Sequence, residues 1–210
     1  YGNLLLHIAG ELELPLPVAV AVLAQWGDRQ GYGTDDRLAI RFDTYRFFME
    51  WGRTNRALFD RHFRLDESRP WQRHWVRSHR SDEWTDVHAS QETEWLAFEL
   101  AQDLDEESSL AALAMGIPGI MGGNARLAGY RTAEAMYYAF AASERAQVVA
   151  IFDRIAGPDR SDSPTLRALQ EGRLSDFTAH FFGPRLRAYR QYALETAIEA
   201  YERWNPLDPE

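Results

Sequence analysis

The chain of 210 residues contains no cysteine and no lysine, and these absences exclude several kinds of chemistry. Without cysteine it has no disulfide, thiolate metal site or cysteine nucleophile. Because all 23 residues of the Lys+Arg class are arginine, a Schiff-base amine and a P-loop lysine are also excluded. No serine lies in a G-x-S-x-G elbow, so serine-hydrolase chemistry has no support.

Positive charge is in deficit, and long apolar runs are absent. The formal charge of −9 and the pI near 5.2 argue against nucleic acid as a partner, since binding it requires a basic surface. No run approaches the ~20 apolar residues that cross a bilayer, so we expect no membrane span. The length favours one compact domain over residues 1–210. The first residue is Tyr1 and not Met, which favours a domain within a longer protein.

Apolar residues recur at helical spacing along most of the chain, which predicts a mainly α fold with at most a short strand or ribbon. Only residues 38–42, LAIRF, read as extended. Thr132 is a candidate N-cap, Gly157 and Pro158 are expected to stop a helix, and the last helix should run from about Pro184 to Trp204. The periodic positions are Ala19, Val22, Leu23 and Trp26; Ala97, Leu100, Ala101 and Leu104; Ala133, Met136, Tyr137 and Phe140; and Val148, Ile151, Phe152 and Ile155.

Residues 113–130, LAMGIPGIMGGNARLAGY, form a glycine-rich segment in which the backbone must turn repeatedly. The segment resembles the element "SMGxPQIMGFN…GY" of the N-acetylmuramidases of phage endolysins and phage-tail-like particles, which have the lysozyme superfold. Gly119 and Gly123 stand where the family has Gln and Phe. The resemblance implies a loop along a glycan groove, with Met115, Asn124 and Tyr130 as substrate contacts. The matching positions are Met115, Gly116, Pro118, Ile120, Met121, Gly122, Asn124, Gly129 and Tyr130.

Other segments extend the resemblance over roughly residues 15–204. LAQWGDRQGYG is similar to the family's "AVESGGSGF", and RLAIRFDTYRFF is similar to "RxxIxFExHxF". FAASERAQVVAIFDRI, residues 140–155, is similar to "FSASERAQ…FDFI". Phe181, Phe182 and Gly183 correspond to the late "YNG". Peptidoglycan is therefore the implied substrate, and no cofactor or metal is implied.

The family's catalytic Glu, which protonates the glycosidic oxygen, has no direct counterpart. A gap-free alignment places it at Trp26, and a shift of one residue places it at Gln25. Gln25 could hydrogen-bond a sugar, and Trp26 could stack on a pyranose ring or complete the apolar face of its helix. We therefore expect a degenerate member of the family.

Two carboxylates are possible replacement acids. Asp28 follows the expected acid by two or three residues, or it is an exposed turn residue. Asp43 takes the place of the Glu in "FExH", or it is an N-cap. Tyr45 takes the place of the His in that motif and is a further candidate for sugar binding.

Residues 71–95 contain four of the seven tryptophans and three histidines. These rings form either a glycan platform or a small satellite core. The five-residue spacing of His74 and His79 matches no zinc motif, so we expect no metal site.

The sequence thus predicts a domain that binds peptidoglycan glycan strands or serves structurally. Two alternatives stay open. The first is an active N-acetylmuramidase that cleaves the bond between N-acetylmuramic acid and N-acetylglucosamine. The second is a structural component of a phage-tail or contractile injection particle, with neighbouring domains or subunits as partners. Either would act at the bacterial cell envelope or in an exported particle.

Overall fold

The computed structural model of the chain describes residues 1–27 and 29–205. Most of these residues are helical, which confirms the predicted mainly α fold. A π-helical turn, Phe48–Gly52, and 3₁₀ segments at Gly122–Ala128 and Arg160–Asp162 occur as well. The α-helices in the described part are α1 (Gly2–Glu11), α2 (Leu16–Ala24), α3 (Thr44–Phe47), α4 (Arg56–His62), α5 (Gln91–Leu104), α6 (Glu106–Ala111), α7 (Ala133–Ala142), α8 (Glu144–Ala156), α9 (Pro164–Gln170), α10 (Leu174–Phe182) and α11 (Arg187–Trp204).

The helix ends follow the local sequence. Thr132 caps α7, because its side chain accepts a hydrogen bond from the Ala135 N–H, as predicted. The helix α8 ends at Ala156, before Gly157 with φ of +70°. The helix α11 begins later than the predicted start near Pro184, because the Leu186 N–H closes a turn by donating to the Gly183 carbonyl.

Six short strands are present in the described residues, whereas only residues 38–42 were predicted to be extended. They form two antiparallel three-stranded sheets. One has the spatial order Ile40–Phe42, Leu113–Met115, Ile120–Met121, and the other has the order Phe63–Leu65, His74–Val76, Thr85–Asp86. Strands of two or three residues are too short to show the alternation that identifies a strand in sequence. The strands are β1 (Ile40–Phe42), β2 (Phe63–Leu65), β3 (His74–Val76), β4 (Thr85–Asp86), β5 (Leu113–Met115) and β6 (Ile120–Met121).

The chain divides into two compact units, each assembled from segments distant in sequence. Unit 1 comprises residues 1–29, 127–129 and 148–210, and unit 2 comprises residues 30–126 and 130–147. In unit 2, α5 packs against β1, and aromatic rings fill the core. These buried rings include Phe42, Phe47, Phe59, Phe63 and Phe98.

In unit 1, α2 packs between α1 and α11, and α10 packs against α9 and α11. The inner face of α2 is formed by small and branched residues: Val18, Ala19, Ala21 and Val22. Among the described helices none is both long and apolar enough to cross a bilayer alone. Only α1 and α2 taken together reach that composition, across a bend of 118°.

Candidate functional site

The C-terminal end of α2, in unit 1, is where the sequence resemblance places the catalytic carboxyl. Gln25 follows the last residue of this helix and is 8% exposed. Arg190 of α11 donates from Nη1 to the Gln25 carbonyl oxygen at 3.1 Å, and the same nitrogen lies 3.4 Å from Gln25 Oε1. A cation at this position is favourable because the helix dipole is negative at the C-terminal end. Both oxygens of Gln25 are thus in contact with the guanidinium group of Arg190.

Trp26 packs into aromatic side chains at the end of α10. Its ring centroid lies 6.1 Å from Phe181, in an edge-to-face arrangement, and 5.9 Å from Phe182. Phe177 stacks on Phe181 at 5.4 Å. Contacts of this kind each contribute about 0.5–1.5 kcal/mol beyond the burial of area. The indole is 7% exposed, so it presents little surface to a sugar ring.

Trp26, Phe181 and Phe182, hereafter the aromatic cluster, bring together two motifs that are far apart in sequence. Trp26 stands at the family's Glu in the gap-free alignment, and the two phenylalanines stand at the Tyr and Asn of "YNG". The three rings contact one another in the structure. In the gap-free alignment, apolar groups therefore stand at one place where the family has a carboxyl, a hydroxyl and an amide. Asp28, a predicted replacement acid, lies outside the described residues.

Asp43, the other predicted acid, is the N-cap of α3 in unit 2. Its Oδ1 accepts a hydrogen bond from the Arg46 N–H at 2.9 Å. The carboxylate thereby satisfies one of the N–H groups that have no partner within the helix. Asp43 and Tyr45 are both half-buried, and their roles in catalysis or sugar binding stay predictions.

The glycine-rich segment is a hairpin of β5 and β6 followed by the 3₁₀ segment, where a loop was predicted. Gly116 has a φ of +59°, and a Cβ there would lie 2.5 Å from Gln147 Oε1. At Gly122 a Cβ would lie 1.9 Å from the Leu110 carbonyl oxygen. Both positions therefore require glycine, because backbone or a buried side chain occupies the adjacent space.

Gln147 of α8 holds the glycine-rich segment to two other parts of unit 2. The side chain is fully buried, and its Oε1 accepts from the Ile117 N–H at 2.9 Å. Its Nε2 donates to the carbonyl oxygens of Phe140, at 3.0 Å, and Gly31, at 3.4 Å. Three motifs of the sequence resemblance thus meet at one amide. Gln147 was not predicted from the sequence, and the signal that could have identified it is a Gln on the apolar face of a helix.

Tyr32 lies beside this amide and adds a further link. Its hydroxyl donates to the Phe140 carbonyl at 3.1 Å. Burial raises the pKa of Tyr32, and the carboxylate of Glu144 raises it further, whereas the hydrogen bond with Gln147 opposes both. The phenol therefore stays protonated at neutral pH and acts as a hydrogen-bond donor.

The predicted sugar contacts in the glycine-rich segment differ in accessibility. Met115 is fully buried in β5, so its side chain packs in unit 2 and does not reach the surface. Asn124 is exposed. Tyr130 is half-buried and packs edge-on against Phe140 at 5.7 Å. Of these three residues, Asn124 is the most accessible to a glycan.

Asp153 of α8 is a carboxylic acid that was not predicted as a site residue from the sequence. In unit 1 it borders the end of the glycine-rich segment, because a Cβ at Gly129 would lie 3.5 Å from Asp153 Oδ2. Burial raises the pKa of Asp153, and Arg160, at 3.6 Å, opposes that rise. A carboxyl whose pKa is raised by burial has the property that a general acid requires.

The tryptophan-rich residues 71–95 include β3 and β4, the last two strands of the sheet β2-β3-β4. Several side chains in this region are buried, which agrees with the satellite-core interpretation. Trp71 is 76% exposed, whereas an arginine covers each of the other three rings. The distance from the guanidinium carbon to the centroid of the tryptophan ring is 5.4 Å for Arg64 and Trp75, 4.2 Å for Arg77 and Trp84, and 3.6 Å for Arg37 and Trp95.

A cavity of about 760 Å³ opens in unit 2 beside Trp95. Arg37 stacks on this ring and forms an ion pair with Glu99, so the aromatic face is already occupied. Asp35 and Glu92 also line the cavity, together with polar and backbone groups. Apart from Trp95, one of the rings of the possible glycan platform, none of the described residues that line it is among the predicted sugar contacts.

Comparisons with known proteins identify the family of this chain. The model of the N-acetylmuramidase family matches residues 15–205. The crystal structure of the Burkholderia AP3 phage endolysin superposes with a TM-score of 0.70 at 22% identity, covering 96% of this chain and 71% of that chain. This similarity supports the predicted lysozyme-like fold. No curated protein sequence matches the chain. Because the family model covers most of the sequence, the chain belongs to the N-acetylmuramidase family.

Proposed function

We propose that this domain binds the glycan strands of peptidoglycan and cleaves them slowly or not at all. The supporting observation is the aromatic cluster, in which Trp26 packs against Phe181 and Phe182 at the place of the family's Glu and "YNG". Lysozyme-type hydrolysis requires a carboxylic acid that protonates the leaving oxygen. The described end of α2 carries the amide of Gln25 and the indole of Trp26 instead.

Loss of the catalytic acid lowers the rate of cleavage far more than the affinity for glycan. General acid catalysis contributes about 10²–10⁴-fold, so its removal raises the barrier by roughly 3–5 kcal/mol. Glycan binding depends on hydrogen bonds to hydroxyl groups and on contacts with apolar sugar faces, and neither requires a proton donor. A member of the family without the acid can therefore retain recognition of the wall.

The test measures binding and cleavage on the same purified peptidoglycan. We expect the domain to sediment with insoluble walls while releasing few new reducing ends. A comparison variant combines Trp26→Glu, Phe181→Tyr and Phe182→Asn, which restores the family's groups together. The single change Trp26→Glu is unsuitable, because it would place a carboxyl without a polar partner against the rings of Phe181 and Phe182. Rapid release of reducing ends by the wild-type domain would disprove the loss of activity.

An active muramidase is the second candidate, and the environment of Asp153 favours it. This carboxyl is half-buried beside Gly129 and has a raised pKa, so it could donate a proton to a glycosidic oxygen. If the wild-type domain cleaves walls, Asp153→Asn should abolish cleavage. The same assay on Asp43→Asn and Asp28→Asn tests the two acids predicted from sequence.

A structural role in a phage-tail or contractile injection particle is the remaining candidate. Tyr189 and Tyr192, three residues apart on α11, are 69% and 70% exposed. Exposed aromatic surface of this kind is common where proteins contact one another. A well-folded domain that neither binds nor cleaves a range of wall types would favour this role.

A further inference from the structure

Two arginines lie against the aromatic cluster of unit 1. The guanidinium carbon of Arg154, on α8, is 4.7 Å from the centroid of Phe181. That of Arg190, on α11, is 4.8 Å from the centroid of Phe182. The two phenylalanine centroids are 4.9 Å apart, so each cation lies against one of two rings that contact each other.

Neither Arg154 nor Arg190 has a carboxylate partner among the described residues. Both are half-buried, and the Nε of Arg190 is buried without a hydrogen-bond partner. Burial lowers the pKa of Arg154. By contrast, most arginines that have a carboxylate oxygen within 4.0 Å have side chains that are 43% or more exposed. The arginines with such a partner are Arg37, Arg46, Arg56, Arg160, Arg167 and Arg173.

This distribution is the reverse of what stability alone would favour. A guanidinium withdrawn from water costs free energy unless an anion compensates it, and an exposed one needs no partner. The protein has 32 acidic residues and a net charge of −9, so carboxylates are abundant in the chain. An anion supplied from outside would compensate the cations on the aromatic cluster.

We propose that Arg154 and Arg190 bind a carboxylate group of the wall polymer, and this proposal rests on the proposed glycan-binding function. N-acetylmuramic acid carries a lactyl ether, and the peptides attached to it end in carboxylates, whereas N-acetylglucosamine is neutral. The planar guanidinium matches a carboxylate through two parallel hydrogen bonds. The site therefore selects the muramyl residue and its peptide over a neutral polysaccharide.

The main test uses variants of Arg154, because Arg190 also forms a hydrogen bond with Gln25 at the end of α2. Binding is measured by calorimetry with soluble disaccharide-peptide fragments of peptidoglycan and, in parallel, with chitotetraose, which has no carboxylate. We expect Arg154→Gln to weaken binding of the fragments about tenfold or more and to leave chitotetraose binding unchanged. Arg187→Gln is the control, since it removes the same charge from an exposed position on α11.

A second readout is the melting temperature without ligand. Because Arg154 has no described counter-ion, Arg154→Met should melt at the same temperature as the wild type or higher, while its fragment binding is weaker. An Arg154 that served only the fold would instead give a lower melting temperature.

Equal loss of both ligands, or no change in fragment binding, overturns the carboxylate site. Asp28 supplies a further check, because it lies outside the described residues. If Asp28→Asn lowers the melting temperature of the wild type but not that of Arg154→Met, Asp28 is the counter-ion and the proposal fails. A wild-type domain that binds neither probe refutes the proposed function itself, and one that binds both equally refutes only the carboxylate site.

Discussion

Nε2 of His88 lies 3.2 Å from Nδ1 of His74 inside unit 2, and the partners of His74 fix the tautomer of its neutral ring. His74 Nε2 lies 2.9 Å from the Pro70 carbonyl, which can only accept, so Nε2 carries the proton of the neutral ring and Nδ1 accepts from His88 Nε2. Nδ1 of His88 lies 2.7 Å from Glu94 Oε1, while Glu94 Oε2 accepts from the Phe42 N–H at 2.6 Å. Glu94 therefore joins His88 to strand β1 through its two carboxyl oxygens.

Protonation of His74 should destabilise the protein. Burial, the largest cause, and the proximity of His88 and Arg41 lower the pKa of His74, whereas its hydrogen bond to Pro70 and the nearby Asp43 raise it. The unfolded state then binds a proton at higher pH than the folded state. The stabilisation is complete above pH ~6.5 and is lost as the pH falls through the folded-state pKa, with a slope of at most about 1.4 kcal/mol per pH unit for this one proton.

Urea unfolding at a series of pH values between 5 and 8 measures this dependence. His74→Gln should reduce the slope, whereas His79→Gln, on an exposed side chain in the same region, should retain it. An unchanged slope in His74→Gln would assign the pH dependence to other groups.

Gly116→Ala should be more destabilising than a positive φ alone explains. At Gly172, which has a φ of +68° and open space around it, alanine meets only the backbone strain of about 1–2 kcal/mol. At Gly116 the added Cβ also meets the buried side chain of Gln147. We expect Gly116→Ala to cost at least 1 kcal/mol more than Gly172→Ala in free energy of unfolding.

A double-mutant cycle with Gln147→Ala tests the cause of that difference. If the amide is the obstacle, the two changes at 116 and 147 together should cost less than the sum of the single changes. Additive costs would show that Gly116 is required for its φ angle alone.

The contrast between predicted and unpredicted features follows from distance along the chain. Periodic apolar residues predicted α5, α7 and α8 because three or four turns of helix contain enough positions to reveal the spacing. The capping role of Thr132 was predictable because its partner, Ala135, is three residues away.

The arrangement of the site depends on contacts that no local pattern records. Gln147 hydrogen-bonds Gly31, 116 residues away in sequence, and Ile117, 30 residues away. The contact of Trp26 with Phe182 joins residues that are still farther apart in sequence, and it was the resemblance to a family that pointed to both segments. Periodicity alone assigned Trp26 to a helix face, although α2 ends at Ala24.

Gln25→Glu should not restore cleavage, although it introduces a carboxyl at one of the two aligned positions. Arg190 Nη1 already lies 3.4 Å from the Gln25 side-chain oxygen, so the new carboxylate would form an ion pair. An adjacent opposite charge lowers a carboxyl pKa by about 1–3 units, whereas a general acid requires a raised one.

Release of reducing ends from peptidoglycan at pH 5 and pH 7 checks this expectation. The double change Gln25→Glu with Arg190→Met removes the cation and should raise the pKa of the new carboxyl, so it is the informative comparison. Substantial cleavage by Gln25→Glu alone would show that Arg190 does not suppress the acid.

Asp153→Asn should stabilise the folded protein at neutral pH. Burial raises the pKa of Asp153 above its value in the unfolded chain, so ionisation favours unfolding as the pH rises from below 3.8 toward 7. Asp159→Asn should have the opposite effect, because hydrogen bonds from Ser161 lower the pKa of Asp159 and its charge favours the folded state.

Melting temperatures at pH 4 and pH 7 compare the two variants with the wild type. We expect the gain in Asp153→Asn and the loss in Asp159→Asn to be larger at pH 7 than at pH 4. If Asp153→Asn instead lowers the melting temperature at pH 7, the ion pair with Arg160 outweighs the burial of the carboxylate, and a raised pKa no longer supports Asp153 as the acid of an active muramidase.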